Sequence, residues 1–404
     1  MGVKLSDKKK IGLVLSGGGI KAAAFHIGVC LALKEKGFKF YGGSKNLIRA
    51  EHSGSQNHKP MTIQLYVGSS AGSFVSTILA AGYPVESLIT AFQIGLGVSP
   101  EYSHSNYRLL KPLTYGRLFN MNKKGLMSIL PTSWLQKSLV SGGFESLIKN
   151  GFKLNGLFST AGIENYLRKY VLIENDFSSL AAELYIVSTQ LNNSRKAIFG
   201  NFKENLKTPS TKYINYATIS EAVACSTALP PIFSPYNLPN QEGQERYFYD
   251  GEIRETLSAH IAADMGCDLV ISSFSMQPYH YTPEIGSLHN YGIPVILNQA
   301  LYQVLEQKTH KHIEWQNTLK HIYKTIDGYF KQNQLPEEHR EKLLDIYKTR
   351  FKFNPDVEYI NITPRPQNYE MFMVDHFSLN PKILERIVKI GFKSAINTLR
   401  KYSV

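Results

Sequence analysis

The chain has 404 residues, and its 45 Lys and Arg against 32 Asp and Glu give a net charge of +13. Hydrophobic residues make up 43% of the sequence, which excludes a disordered chain. Three cysteines are too few to staple a disulfide scaffold of this length, and we expect Cys30, Cys225 and Cys267 to be buried, reduced thiols. The positive charge favours an anionic partner, either a membrane surface or a nucleic acid.

The first part of the chain alternates short apolar runs with helical patterns. Ile11 to Leu15 predicts a buried strand, followed by a helix over 21–36. A second strand over 63–67 and a second helix over 71–81 repeat this order. Strand, turn and helix twice in succession predict an α/β fold with a central, mainly parallel sheet. The polar stretch 42–60 between the two units is typical of a mobile insertion.

No secretory signal or transmembrane helix is predicted. The first apolar run is broken at once by three glycines and Lys21. The uncharged stretch 61–85 is long enough to span a bilayer, but its serines, its glycines, Gln64 and Pro84 favour a strand, a turn and a helix. We therefore expect a cytoplasmic or peripheral membrane protein.

The middle of the chain is less regular. Residues 96–157 combine prolines and glycines with apolar side chains, which is typical of a lid or interfacial region. Residues 182–199 predict two strands joined at Asn192 and Asn193. A helix is expected over 220–227 and an apolar strand over 269–274.

The chain becomes basic and mostly helical after about residue 290, so the sequence predicts a 1–290 domain followed by a 291–404 helical basic C-terminal region. Asn380 as the N-cap and Pro381 at the first position predict the start of the last helix. Its apolar residues fall on one face and most of its basic residues fall opposite. The helix is expected to pack on the core, and binding to an anionic membrane surface is the alternative.

The strongest local motif runs from Gly68 to Gly72 as Gly-Ser-Ser-Ala-Gly, directly after a strand and before a helix. This is the context of a nucleophile elbow, in which glycines permit a sharp turn that exposes the central serine. Ser70 is therefore the candidate nucleophile. A plain Gly- and Ser-rich turn is the structural alternative.

Gly17, Gly18 and Gly19 form a second glycine-rich turn between a strand and a helix. Their N–H groups can converge on an anion, such as the oxyanion of an acyl-transfer reaction. With Ala22 the pattern also fits a dinucleotide fingerprint, but the second strand lacks the acidic residue that this reading requires. No Gly-Lys-Ser/Thr sequence closes the turn as a phosphate-binding loop.

A nucleophilic serine needs a base. Asp250 follows three aromatic residues and precedes Gly251, which is unusual for a solvated surface charge. His26 and His376 are alternatives, but nothing around either residue marks it as catalytic. His310 and His312 face apart on a helix, so no metal site is predicted.

Four motifs now stand in order: Gly17 to Lys21, Gly68 to Gly72, Cys225 to Pro235, and Asp250-Gly251. Together they resemble the patatin-like phospholipase family in its bacterial form, over about residues 10 to 280. The resemblance implies a patatin-like three-layer α/β fold. It also implies a hydrolase that releases fatty acids from membrane glycerophospholipids without a metal or other cofactor.

By the same resemblance, Ser70 and Asp250 form a catalytic dyad with no catalytic histidine. The N–H groups of Gly17, Gly18 and Gly19 form the oxyanion hole. The supporting residues are Lys21, Gly68, Gly72 and Gly251, and Lys21 stands where the family often has arginine.

Three residues depart from the family pattern. Ala22 replaces the last glycine of the first motif, where we expect a shifted helix start, and Cys225 replaces an alanine. Glu252 stands beside the proposed base, where the family usually has a small residue. The Glu252 carboxylate either lies close enough to raise the pKa of Asp250 or points away from it. The activity is therefore expected to be low or conditional.

Two hypotheses follow, besides nucleic-acid binding, which has no motif to support it. The first is a serine acyl hydrolase acting at a phospholipid membrane surface. The second is a catalytically weak or silent scaffold that binds a membrane or a protein. Bacterial members of the family include effectors that a specialised secretion system delivers into a host cell. The resemblance therefore leaves room for such delivery and for a host protein activator.

Overall fold

The computed structural model describes four segments of the chain: residues 4–46, 59–95, 110–122 and 155–403. The regions expected to form a mobile insertion and a lid therefore lie largely outside the described residues.

Ten of the described strands form one mixed sheet, and β4 and β5 form a separate antiparallel pair. In chain order the strands are β1 Ile11–Leu15, β2 Lys39–Phe40, β3 Thr62–Ser69, β4 Asn120–Met121, β5 Phe158–Ser159, β6 Glu183–Gln190, β7 Arg195–Phe199, β8 Thr211–Ile214, β9 Tyr236–Asn237, β10 Tyr247–Asp250, β11 Leu269–Ser273 and β12 Glu358–Ile362. The sheet order is β12-β11-β1-β3-β6-β10-β9, and the neighbours from β12 to β6 are parallel. β6 pairs antiparallel with β7 and β10. The predicted α/β fold with a mainly parallel sheet is confirmed.

Helices flank this sheet. In chain order they are α1 Gly19–Glu35, α2 Ala71–Ala80, α3 Val85–Ala91, α4 Tyr115–Leu118, α5 Ala161–Tyr166, α6 Ile219–Ser226, α7 Ala259–Asp264, α8 Ile293–Gln332, α9 Glu337–Phe351, α10 Glu370–Met373 and α11 Pro381–Leu399. The predicted helices in the first part of the chain agree with α1, α2 and α6 to within two residues. None of the helices in the described segments is both long enough and apolar enough to cross a bilayer.

The C-terminal region is mostly helical, but it also supplies a strand that the sequence analysis did not predict. β12 pairs in parallel with β11, with Leu269 opposite Glu358, and so extends the sheet of the preceding residues. The run Glu-Tyr-Ile-Asn-Ile is short and alternates polar with apolar residues. Its strand conformation depends on the adjacent β11, which lies about ninety positions earlier in the chain.

The last helix packs on the core, as expected. Asn380 Oδ1 accepts the N–H of Lys382 at 3.0 Å, which confirms the predicted N-cap. α11 crosses α1 so closely that a Cβ on Gly28 would lie 2.0 Å from the Val388 carbonyl oxygen. A Cβ on Gly391 would lie 2.2 Å from the Phe25 carbonyl oxygen. The apolar face of α11 is therefore covered by protein.

The main core lies between the sheet and the helices that include α1, α2 and α11. Cys30, Cys225 and Cys267 are all buried and unpaired, as the sequence predicted. Burial raises the pKa of each thiol well above its usual range. These cysteines therefore act as small apolar residues of the core.

Candidate active site

Two glycine-containing turns meet at the carboxyl ends of β1 and β3. The strands are adjacent and parallel, with Leu15 opposite Gly68, so the turns that follow them lie side by side. The N–H of Gly72 donates to the Ser16 carbonyl oxygen at 3.1 Å and ties the two turns together. The sheet thus places the first and second motifs at one edge.

The turn after β3 has the geometry of a nucleophile elbow. Ser70 has φ 50° and ψ −123°, a conformation that a residue with a side chain rarely adopts. The flanking glycines are needed for space, because a Cβ on Gly68 would lie 2.5 Å from Ser73 Cα. A Cβ on Gly72 would lie 2.1 Å from the Leu15 carbonyl oxygen. The strained turn holds Ser70 at the start of α2.

Asp250 reaches Ser70 across two strand pairings. β6 runs parallel to β3 with Val187 opposite Ser69, and β10 runs antiparallel to β6 with Asp250 opposite Ser188. The Ser70 side chain lies close enough to the Asp250 carboxyl to lower the pKa of that carboxyl. Residues 180 positions apart in the sequence are therefore in contact.

The Asp250 carboxyl is 2% exposed. This burial raises its pKa to about 6, although the nearby Ser70 side chain and the hydrogen bond from the N–H of Glu252 both lower it. Desolvation makes the carboxylate a stronger base than in water. Asp250 is still ionised at neutral pH, as a base for Ser70 must be.

Gly251 and Ser226 hold this pair in place. A Cβ on Gly251 would lie 2.4 Å from the Val187 carbonyl oxygen, so only glycine fits after Asp250. Ser226 Oγ accepts the Ser70 N–H at 2.8 Å and donates to the Val187 carbonyl oxygen at 2.5 Å. The sequence analysis missed this role of Ser226, although the residue lies within the third motif.

The glycine loop lies against Ser70, and one of its N–H groups already donates a hydrogen bond to a side chain. A Cβ on Gly17 would lie 2.8 Å from Ser70 Cβ and 2.5 Å from Glu252 Cγ. The Gly17 N–H donates to Glu252 Oε1 at 2.7 Å. The direction of Glu252, which the sequence left open, is therefore toward the expected oxyanion hole.

Glu252 is 4% exposed, and its pKa is raised to about 8. Burial is the largest cause, and the negative charges of Asp250 and Glu255 add to it. The hydrogen bond from the Gly17 N–H and the nearby Ser69 side chain act in the opposite direction. The site thus contains two buried carboxyls, and Asp250 loses its proton at a lower pH than Glu252.

Gly18 and Gly19 continue the loop at positive φ values of 130° and 73°. α1 begins at Gly19, and Ala22 is fully buried in its first turn. A Cβ on Gly19 would lie 2.5 Å from the His376 carbonyl oxygen. The C-terminal region therefore packs directly on the glycine loop.

Lys21 points away from the reacting groups. Its Nζ donates to the carbonyl oxygens of Met371 at 2.7 Å and Val374 at 3.2 Å, and its N–H donates to the carbonyl oxygen of His376. Burial lowers the pKa of Lys21 to about 7, although the charge of Asp375 opposes this shift. Lys21 is thus an anchor for the C-terminal region.

Both candidate histidines take part in other contacts. The His376 ring is hydrogen-bonded to the Tyr302 hydroxyl, and burial lowers its pKa to about 3. The His26 ring lies within 2.8 Å of Ser273 Oγ and the Ser16 carbonyl oxygen. Of these three candidate bases, Asp250 is the one whose pKa the Ser70 side chain affects.

A cavity of about 70 Å³ opens beside Ser70. We call it the Ser70 cavity. Its walls are predominantly apolar. The third motif supplies Thr227, Leu229 and Phe233. The other described lining residues are Gly19, Ile20, Ala23, Ser70, Ala71, Phe74, Phe92, Leu113, Leu118, Phe119, Ile163 and Phe377.

An elbow serine, a buried aspartate, a glycine loop and an apolar cavity thus meet at one edge of the sheet. A family model described as patatin-like phospholipase matches residues 13–263. The match covers more than half of the chain, and the chain belongs to this family. The family's enzymes are generally hydrolases that act on lipid esters. A search of curated proteins found no match to the chain.

Proposed function

We propose that the protein is a serine acyl hydrolase that cleaves ester-linked fatty acids from membrane glycerophospholipids, as a phospholipase A or lysophospholipase. The closeness of Ser70 to the buried Asp250 carboxyl, at the wall of an apolar cavity, carries this proposal. The cavity suits an aliphatic chain, and the Ser70 hydroxyl suits attack on the ester carbonyl at its end.

In the proposed mechanism, the Asp250 carboxylate takes the proton of the Ser70 hydroxyl while Ser70 Oγ attacks the ester carbonyl carbon. Asp250 then returns the proton to the leaving alcohol as the carbon–oxygen ester bond breaks, which leaves an acyl-serine. Asp250 next takes a proton from water, and the hydroxide attacks the acyl-serine. The fatty acid leaves, and the proton returns to Ser70.

Each step develops negative charge on the carbonyl oxygen, and N–H groups of the glycine loop are the proposed donors to it. For the Gly17 N–H to serve, it must release Glu252 Oε1. The net charge of +13 supports binding to an anionic membrane surface.

The same Glu252 contact favours the second candidate, a catalytically weak scaffold that binds a membrane or a protein. Above a pH of about 8, where Glu252 is ionised, its carboxylate opposes the negative charge that the reaction develops in the oxyanion hole. This candidate predicts that the Ser70→Ala protein keeps its full cellular effect, whereas the hydrolase predicts its loss.

The deciding experiment is fatty-acid release from mixed phospholipid vesicles by the wild type, Ser70→Ala and Asp250→Asn. Ser210→Ala and Asp345→Asn are matched controls, since both residues are exposed. Release that the two site variants lose and the two controls keep supports the hydrolase. A parallel series with eukaryotic cell lysate tests for an activator. No release in either series contradicts the proposal.

A further inference from the structure

A second cavity, of about 390 Å³, lies next to the Ser70 cavity. We call it the outer cavity. Phe119 and Phe377 line both cavities. The other described residues of the outer cavity are Tyr115, Gly116, Phe158, Ile232 and Asp375. Its walls are thus largely apolar, and the two cavities are separated by aromatic side chains.

The separating rings form one packed cluster. Phe119 and Phe377 meet edge to face, with ring centroids 5.7 Å apart. Phe119 also stacks on Phe233 at 5.3 Å, and Phe158 packs on its edge at 5.4 Å. Such aromatic pairs have defined geometry and add to the free energy of burial. The cluster therefore holds the two rings in fixed positions between the cavities.

The two rings come from distant parts of the chain. Phe119 directly follows α4, whereas Phe377 lies beyond residues 13–263, which the family model matches. The N–H of Leu379 donates to the Tyr115 hydroxyl at 2.9 Å and joins the two segments. The Lys21 side chain anchors the C-terminal segment from the other side. Phe377 therefore lines the cavity from outside the part of the chain that the family model matches.

We propose that Phe119 and Phe377 form a partition that limits the length of the acyl chain bound beside Ser70. This inference rests on the proposed function. With either ring removed, the Ser70 cavity is continuous with the outer cavity, and a longer chain gains apolar contacts beyond the present wall. Each added methylene that is buried then favours the long substrate.

The test compares kcat/KM for p-nitrophenyl esters of 4 to 16 carbons in the wild type, Phe119→Ala and Phe377→Ala. We expect the ratio of the 16-carbon to the 8-carbon ester to rise about tenfold in both variants, the size of effect that a change of apolar contacts produces in a specificity pocket. Phe351→Ala is the matched control. This ring is 43% exposed on α9 and packs on Trp315 and Tyr347.

Phe377→Leu keeps most of the apolar volume of the Phe377 side chain. This variant replaces the alanine variants in the test if they do not fold. A smaller rise in the same ratio is then expected. Ester cleavage that depends on Ser70, with an unchanged chain-length profile in the folded partition variants, overturns the inference and leaves the proposed function standing.

A binding series separates the two proposals if the wild type cleaves no ester, which contradicts the proposed function. The series measures how strongly saturated fatty acids of 8 to 16 carbons displace the dye anilinonaphthalene sulfonate. The two proteins compared are Ser70→Ala and the double variant Ser70→Ala/Phe377→Ala. A shift toward longer acids in the double variant supports the partition. The same chain-length dependence in both proteins overturns it.

Discussion

Replacing Glu252 with glutamine tests how a carboxyl in the expected oxyanion hole acts on the reaction. Glu252→Gln keeps an oxygen that can accept the Gly17 N–H, which now donates to Oε1 at 2.7 Å, but removes the titratable charge. A hydrogen bond to an ionised acceptor is about twice as strong as one to a neutral acceptor. Ionised Glu252 therefore holds the N–H firmly and repels an oxyanion, whereas protonated Glu252 does neither.

The two pKa values set the pH range of the wild type. Asp250 must be ionised to act as a base, so activity falls below a pH of about 6. Glu252 ionises at a pH of about 8, so activity falls again above that pH. One pH unit above a controlling pKa, the rate is about tenfold lower. We therefore expect Glu252→Gln to exceed the wild type about tenfold in kcat/KM at pH 9, with an unchanged acid limb.

The assay measures octanoate released from a soluble octanoate ester between pH 5 and 9.5, with product quantified by chromatography. Glu255→Gln is the matched control, since its carboxylate faces Lys196 and His260 instead of the glycine loop. The control keeps an alkaline limb, slightly displaced to lower pH, because Glu255 raises the pKa of Glu252. An alkaline limb that persists unchanged in Glu252→Gln refutes the reasoning.

The same substitution has an effect on stability that does not depend on activity. The pKa of Glu252 is raised in the folded protein, so its unfolded state ionises first as pH rises from 4.5 toward 8, and the wild type loses stability in that range. A shift of this size corresponds to about 5 kcal/mol. The free energy of unfolding of Glu252→Gln should exceed that of the wild type above pH 8, and the difference should vanish toward pH 4. A difference independent of pH contradicts the assignment.

Three further substitutions test the supports of the site. Ser226→Ala leaves the buried Ser70 N–H without its acceptor, which costs about 1–3 kcal/mol of stability. Both kcat and the melting temperature should therefore fall. An unchanged kcat excludes a positioning role for Ser226. Gly251→Ala places a Cβ 2.4 Å from the Val187 carbonyl oxygen and displaces Asp250, so kcat should fall about a hundredfold, and full activity in a vesicle assay contradicts this. Lys21→Met removes an amino group whose pKa is lowered to about 7. The wild type should therefore gain stability relative to the variant as pH rises from 7 to 10. A difference in the free energy of urea unfolding that stays constant over this range contradicts this.

The sequence by itself determined the elements around the nucleophile. β1, α1, β3 and α2 follow from short apolar runs and glycine turns, because burial periodicity and turn chemistry are local properties. The ordered motifs were sufficient to identify the family and to single out Ser70 and Asp250 as the candidate pair.

Only the tertiary structure decided how the distant residues meet. Glu252 lies 235 positions from the glycine loop that it contacts, and Lys21 lies 350 positions from the Met371 carbonyl that it binds. β12 is a strand because β11 lies beside it, and Phe377 lines the Ser70 cavity because Lys21 anchors the segment before it. Such contacts depend on packing between elements far apart in the chain, which no local pattern encodes.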